Sequence, residues 1–331
     1  MNNLPDLYPL RLTRRLESRL WGGQQLADWL GVHDAPPQLA ESWEIYVDNT
    51  IHNGAYAGQT LRQLVAQHGP AIVGTRSFQR YGYDFPLLAK FIDAGQALSV
   101  QVHPDDTYAH QYEAATGFHG KTEAWHIIAT QGDCDIIHGF NHPLSRTAYA
   151  KAIADGTLEA LLHRTPVSAG DTVYVPAGTV HAINAGIVLF EIQQTSDLTY
   201  RVYDYQRRDA HGNLRELHIP QAIAVSHLDV SPTVVVPPTP VAPGVTELVR
   251  SDYFVMERIT GSHTVTWAHP ADSPHLITVL AGTLTITHAG HAETLTRGQS
   301  IVIPAALSHL HITPQPEATW LHCWVPEESA S

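Results

Sequence analysis

Two stretches decide the fold: Gly170-Asp-Thr-Val-Tyr-Val-Pro-Ala-Gly-Thr-Val-His181 and Gly298-Gln-Ser-Ile-Val-Ile-Pro-Ala-Ala-Leu-Ser-His309. Each reads glycine, five residues, proline, four residues, histidine. The physical sense is a glycine turn, a buried run of strand formers, a proline that ends the strand, and a loop turning one side chain inward. Upstream, Trp125–Gly132 and His275–Gly282 form a second pair of matching segments. Working outward from these, the sequence predicts a small β-barrel that occurs twice.

Between the repeats lies Pro232–Pro243, whose closely spaced prolines suit neither a helix nor a central strand. It reads as an extended linker, which gives a larger part over residues 1–231 and a smaller one over 244–331. The smaller part predicts strands at His263–Trp267, Leu276–Leu280, Thr283–Thr287 and Ser300–Ile303, with turns at Ala281-Gly282 and Arg297-Gly298. In the larger part, Leu98–Val102, Ala124–Ile128, Thr172–Val175 and Ile187–Ile192 read as strands. Gln59–Gln67 and Arg146–Leu162 carry apolar residues at helical spacing, with Ser145 as N-cap, and Gln221–Ser226 is a short helix. The fold class is therefore mainly β: two cupin-type β-barrels of the jelly-roll kind with a small helical insertion, helical segments falling at about 141–163 and 206–229.

Composition narrows the function classes. The chain has 331 residues, 44% of them hydrophobic, enough for sizeable cores. Its formal net charge is −13, and no basic run offers a surface to a nucleic-acid backbone or an anionic membrane, so neither is expected as a partner. Cys134 and Cys323 form no CxxC pair, which predicts two ordinary thiols in a reducing, cytoplasmic setting. Met1 to Trp21 lacks the apolar stretch of a signal peptide, and no uninterrupted run of ~18 apolar residues predicts a membrane span.

The chemistry concentrates in three segments. Leu98-Ser-Val-Gln-Val-His-Pro-Asp-Asp106 reads as a strand ending at Pro104, and residues two apart share a strand face, so Gln101 and His103 point the same way. In Gly120-Lys-Thr-Glu-Ala-Trp-His126 the same spacing pairs Lys121 with Glu123. His181 arrives from the proline loop of the first repeat. If these strands are neighbours, two imidazoles, a carboxylate and an amide oxygen converge. Two histidines and one glutamate with an open position make a catalytic rather than a structural metal site. The second repeat aligns Ser273 with Glu123 and lacks an upstream Gln-x-His, so it reads as metal-free. His126, His138, His142, His163 and His309 read as structural or solvated.

These segments resemble the type I mannose-6-phosphate isomerases, or phosphomannose isomerases, zinc-dependent enzymes of the cupin superfamily, in their compact bacterial form. The resemblance is carried by Leu98–Asp106, Gly120–Trp125, Val175–Ala182 and Gln194–Tyr205, with Trp21–Gly23 and Glu41–Ile45 agreeing as well. It covers most of residues 5–229 and, more weakly, the C-terminal part. It implies a small sugar phosphate as substrate, a monomer or weak homodimer, and one zinc per chain, with cobalt or manganese as substitutes. The zinc ligands it implies are His103, Glu123 and His181, with Gln101 as a fourth. Arg201 falls on the family's active-site arginine, Lys121 on its sugar-facing lysine, and Ser99 and Lys90 on positions near the phosphate.

Interconverting mannose 6-phosphate and fructose 6-phosphate moves a proton between C1 and C2 through a cis-enediol(ate). The reaction needs an electrophile for the oxygens, a proton carrier and a cation for the phosphate. Arg201 is assigned to charge stabilisation, because a guanidinium holds its proton; a simple ion pair with Asp197 or Asp204 is its structural alternative. The proton carrier stays open among Lys121, Glu191 and a zinc-bound water. Two other classes fit the same residues: an Fe(II)-dependent cupin oxygenase and a non-catalytic sugar-phosphate sensor.

Overall fold

The computed structural model describes residues 6–208, 211–230 and 234–327. It is mainly β, 43% strand against 18% helix. The chain divides into two compact units. The first comprises the described parts of Met1–Arg15, Trp43–Lys90 and Pro237–Ser331, and the second comprises Leu16–Ser42 and Phe91–Val236. One end of this division falls inside the proline-rich stretch, of which residues 232 and 233 lie outside the described residues. The other three crossings fall early in the chain, where the sequence showed no boundary. The reason is that residues 6–15 and 43–90 find their partners in the C-terminal part: Leu10 bridges Val302, the amides of Ala305 and Ala306 donate to Ile72 and Ala71, and Arg76 donates to the Val325 carbonyl at 2.8 Å.

Two sheets supply most of the strand residues of the second unit. One runs in the order Arg15–Gly23, Leu39–Ile45, Leu87–Ala94, Ile187–Gln194, Glu123–Thr130, Thr172–Val175. The other runs Tyr200–Tyr203, Val100–Val102, His181–Ile183, Cys134–Phe140, Leu162–Val167. Their apolar residues, among them Trp125, Ile136, Val173 and Leu189, form a continuous core. Burying such side chains stabilises by roughly 1.5–3 kcal/mol each. A second apolar cluster, centred on Phe140, Tyr149 and Val180, seats the helices Arg146–Ala154 and Ile219–Val225. Ser145 caps the first of these by accepting the Ala148 amide at 3.1 Å.

The helical segments are shorter than the sequence suggests. The first stops at Ala154 because Gly156 takes the left-handed conformation, and a 3-10 turn, Leu158–Leu161, follows. Between 206 and 229 only Ile219–Val225 is helical among the described residues. Helices also occur at Gln25–Leu30, Pro70–Tyr81 and Asp106–Tyr112. The helix expected at Gln59–Gln67 runs Leu61–His68, with Thr60 and Gln63 closing a capping box. No described helix is long and apolar enough to cross a membrane.

The first unit contains an eight-stranded sheet whose main order is Thr239–Ala242, Val245–Arg250, Val255–Gly261, His309–Trp324, His275–His288, His291–Thr296. Thr239–Ala242 belongs to the proline-rich stretch and pairs as an exposed edge strand, the one place in a sheet that prolines suit. The turn expected at Ala281-Gly282 is a bulge inside one continuous strand. Register shifts flank it, and Gly282 sits at φ 77° against the Glu317 carbonyl, where no Cβ fits.

That bulge corrects the internal alignment. Gly170 donates to the Ile127 carbonyl, and the Ile127 amide returns to Asp171. Gly298 and Val279 make the same pair, with Val279 donating to Gln299. Ile127 therefore corresponds to Val279, and Glu123 to His275 rather than to Ser273. Pairing agrees: Glu123 faces Val175 and His275 faces Ile303, each five residues after its glycine. Across the neighbouring strand, Glu191 corresponds to His322. Hydrogen-bond register outranks the match of turn residues, which misplaced the alignment by two positions.

Candidate active site

Strand pairing explains why distant segments meet. Gln101 lies opposite both Arg201 and His181, and His181 lies opposite His138, so Tyr200–Tyr203, Val100–Val102, His181–Ile183 and Cys134–Phe140 present one row of side chains. Glu123 opens the strand Glu123–Thr130, and Glu191 pairs with Trp125 on its neighbour. His103, Glu123 and His181, each only 1% exposed, bring their ligand atoms within 4.8 Å of one another. His103 Nε2 is 3.5 Å from Glu123 Oε2, and His181 Nε2 is 3.3 Å from Glu123 Oε1.

The protonation pattern suits a cation. His103 Nδ1 lies 2.8 Å from the Leu198 carbonyl and His181 Nδ1 lies 2.9 Å from that of Thr179. A carbonyl only accepts, so both Nδ1 atoms carry the proton and both Nε2 atoms present lone pairs to the centre. Burial pushes His181 down to about 4 against the pull of Glu123, and drives His103 well below the usual imidazole range. Burial would raise the Glu123 carboxyl, but Lys121, 2.7 Å away, holds it below the usual carboxylate range. His103 Nε2 and Glu123 Oε1 are buried without a hydrogen-bond partner among the described residues. Buried polar atoms left in this state cost about 1–3 kcal/mol apiece, and a divalent metal would satisfy both. Two neutral imidazoles and a carboxylate match the donor set of zinc.

Gln101 turns its amide Nε2 to His181 Nε2 at 3.3 Å. To offer its oxygen to a metal it would have to present the other end of the amide. Lys121, 5% exposed, places Nζ 2.7 Å from Glu123 Oε2 and 3.7 Å from Glu191 Oε1. Glu191 Oε2 accepts from the indole of Trp125 at 3.1 Å.

Arg201 is half-buried, and its carboxylate alternatives are not what hold it. Its Nε donates to Ser99 Oγ at 3.3 Å and a guanidinium nitrogen donates to the Glu216 carbonyl at 2.8 Å. Asp204 pairs instead with Arg207 and Arg215. Lys90 belongs to the first unit and lies 5.4 Å over the Trp43 ring; a phosphate role for it rests on the resemblance alone. His126 and His138 are tied to Thr172 and to the Tyr174 carbonyl, while His142 and His309 are exposed and His163 meets Asn141 at 3.4 Å.

Several supporting residues had no signal of their own. Gln194 accepts the Thr122 amide and donates to Asp106, which also accepts from Gly120, so the Lys121–Glu123 segment is tied on both sides. Ser196 donates to the His119 carbonyl and accepts the Leu198 amide. The run Gln193-Gln194 at the end of an apolar strand was the available clue, since buried amides there need partners.

The fold and this chamber define a cupin with a two-histidine, one-carboxylate centre. Residues 10–124 match the catalytic domain of type I phosphomannose isomerase, and residues 255–325 match a cupin domain. A mannose-6-phosphate isomerase of Streptococcus mutans is 38% identical over 304 residues, covering 89% of this chain and 92% of the relative. The mannose-6-phosphate isomerase ManA of Bacillus subtilis is 44% identical over 221 residues, 66% of this chain and 67% of that one. The crystal structure of a Bacillus subtilis mannose 6-phosphate isomerase superposes with a TM-score of 0.82 at 31% identity, covering 96% of this chain and 99% of the other. The chain belongs to the type I phosphomannose isomerase family and is an isomerase.

Proposed function

We propose that the chain interconverts mannose 6-phosphate and fructose 6-phosphate at the His103–Glu123–His181 centre, with zinc as its metal, cobalt or manganese as substitutes, and a cis-enediol(ate) along the path. The observation that carries the proposal is the convergence of these three buried ligands with Lys121 2.7 Å from one of them. The relatives named above are mannose-6-phosphate isomerases.

When bound, the metal supplies Lewis-acid polarisation of the sugar oxygens. His103, Glu123 and His181 would hold it, with Gln101 as a further ligand or as a hydrogen-bond partner of His181. Glu191, 3.7 Å from Lys121 and oriented by Trp125, is the candidate to carry the proton between C1 and C2. Lys121, between the Glu123 and Glu191 carboxylates, brings its amine to the same place. Arg201, steadied by Ser99 and the Glu216 carbonyl, offers a planar fork to the enediolate or the phosphate. The chemistry thus belongs to the second unit.

A coupled isomerase assay on mannose 6-phosphate, with metal analysis of the same sample, tests this. Turnover that tracks zinc content is the expected result; turnover that requires iron and oxygen would point to the oxygenase reading, and sugar-phosphate binding without turnover to the sensor.

A further inference from the structure

The register that equates Glu123 with His275 and Glu191 with His322 has a counterpart inside the first unit. His275 Nδ1 lies 2.9 Å from His322 Nε2, and His322 Nδ1 lies 3.5 Å from Glu257 Oε2. Both imidazoles are buried, 5% and 6% exposed, and His275 Nε2 has no hydrogen-bond partner among the described residues. His322 and Glu257 border a cavity of about 500 Å³ walled by Trp267, Trp320, Ile259 and Ile312. Its size falls within the range usual for small-ligand sites, and mainly apolar walls with a few convergent polar groups are their usual make-up.

We infer that this cavity is a second binding site, for an uncharged sugar or similar hydroxylated ring. The positions equivalent to Glu123 and Glu191 remain polar but carry imidazoles, and no group of three metal-ligating side chains forms there among the described residues. Burial keeps both imidazoles below their usual range, hence neutral near pH 7. Among the described residues no lysine or arginine lines the cavity, and besides the histidines His263 and His322 its ionisable group is the Glu257 carboxylate. A phosphate ester would meet that carboxylate with nothing to offset it, so the substrate of the other unit is excluded on charge. Indoles offer flat apolar faces to the C–H side of a pyranose, while the Glu257 carboxylate, oriented by His322, accepts hydrogen bonds from its hydroxyls. The inference goes beyond the isomerase reading and does not depend on it, because its test reads binding in the first unit only.

Saturation-transfer NMR on the full chain with free mannose, mannose 6-phosphate and choline decides it. Mannose is expected to bind, to keep binding in His103→Ala, and to weaken at least tenfold in Glu257→Gln and in Trp267→Leu, both checked for an unchanged Tm. Isomerase activity should persist in the last two variants. Mannose binding lost in His103→Ala and kept in Glu257→Gln would assign the signal to the other unit and overturn the inference. Tighter binding of choline or of mannose 6-phosphate at this cavity, or no mannose binding, would overturn it as well.

Discussion

The carbonyl oxygen of Leu198 accepts the Nδ1 proton of His103 across 2.8 Å, and this fixes which nitrogen of that ring can meet a metal. The tautomer is set by backbone, so it survives changes in the surrounding side chains. Each of His103→Ala, Glu123→Ala and His181→Ala should therefore lose the metal, with affinity falling well beyond tenfold, whereas exposed His309→Ala should retain it. Metal content after dialysis against a chelator checks this; equal loss in His309→Ala would show that the centre lies elsewhere.

Behind Leu198 stands Ser196, whose hydroxyl accepts the Leu198 amide at 3.3 Å and donates to the His119 carbonyl at 2.8 Å. Ser196→Ala should leave every ligand in place and still weaken metal binding by about tenfold, the usual size of an effect exerted through a ligand's support. Competition with a chromophoric chelator measures it, and an affinity equal to wild type would mean that the loop holds His103 without this hydroxyl.

Arg201 separates binding from chemistry. Its guanidinium is anchored by Ser99 and the Glu216 carbonyl rather than by a carboxylate, so its charge is free to serve the substrate. Arg201→Ala should lower kcat by ~10² or more with little change in KM, and Arg201→Lys should recover only part of it. Metal content should stay at wild-type level in both. If KM rises while kcat survives, the arginine serves the phosphate instead.

Acid should destabilise the metal-free chain through His181. Its folded value of about 4 lies below the usual 6.5, so the unfolded state binds more protons between those two values. Stability is then complete above about pH 6.5 and falls by about 3 kcal/mol as pH drops towards 4. His103 acts in the same direction, and Glu123 adds its own loss below the usual carboxylate range. Urea unfolding of the metal-free protein at several pH values checks this, and His181→Gln should flatten the slope.

Removing residues 244–331 should give insoluble protein rather than a working catalytic unit. The segments 6–15 and 43–90 would lose Val302, Ala305, Ala306 and Val325, against which they form backbone hydrogen bonds or a part-buried arginine contact. Expression of the truncated chain and the distribution between pellet and supernatant test it; a soluble, fully active product would count against the expectation.

The ligand cluster was legible in the sequence because two-residue alternation groups Gln101 with His103 and Lys121 with Glu123, although the strands themselves end at Val102 and begin at Glu123, and the repeat supplies His181. Thr172–Val175, Ser300–Ile303 and the Ser145 cap were legible for equally local reasons. Pro70–Tyr81 was not, since Gly74 interrupts it with a non-helical backbone. The Leu198 and Thr179 carbonyls could not be found at all, because main-chain acceptors leave no mark in the side-chain pattern. The equivalence of His275 with Glu123 was hidden by a bulge that looks like a turn when only Ala281-Gly282 is seen.

The way the two units share the chain has a consequence for synthesis. A ribosome releases 6–15 and 43–90 before the segment they bind against, which begins only at residue 237. At ~5–20 residues per second that delay is roughly 7–30 s. Throughout it, Leu10, Ile72 and their apolar neighbours stay without their final cover while the complete second unit emerges. The second unit can thus mature first, and the nascent chain's demand for a holding chaperone should fall on residues 6–15 and 43–90.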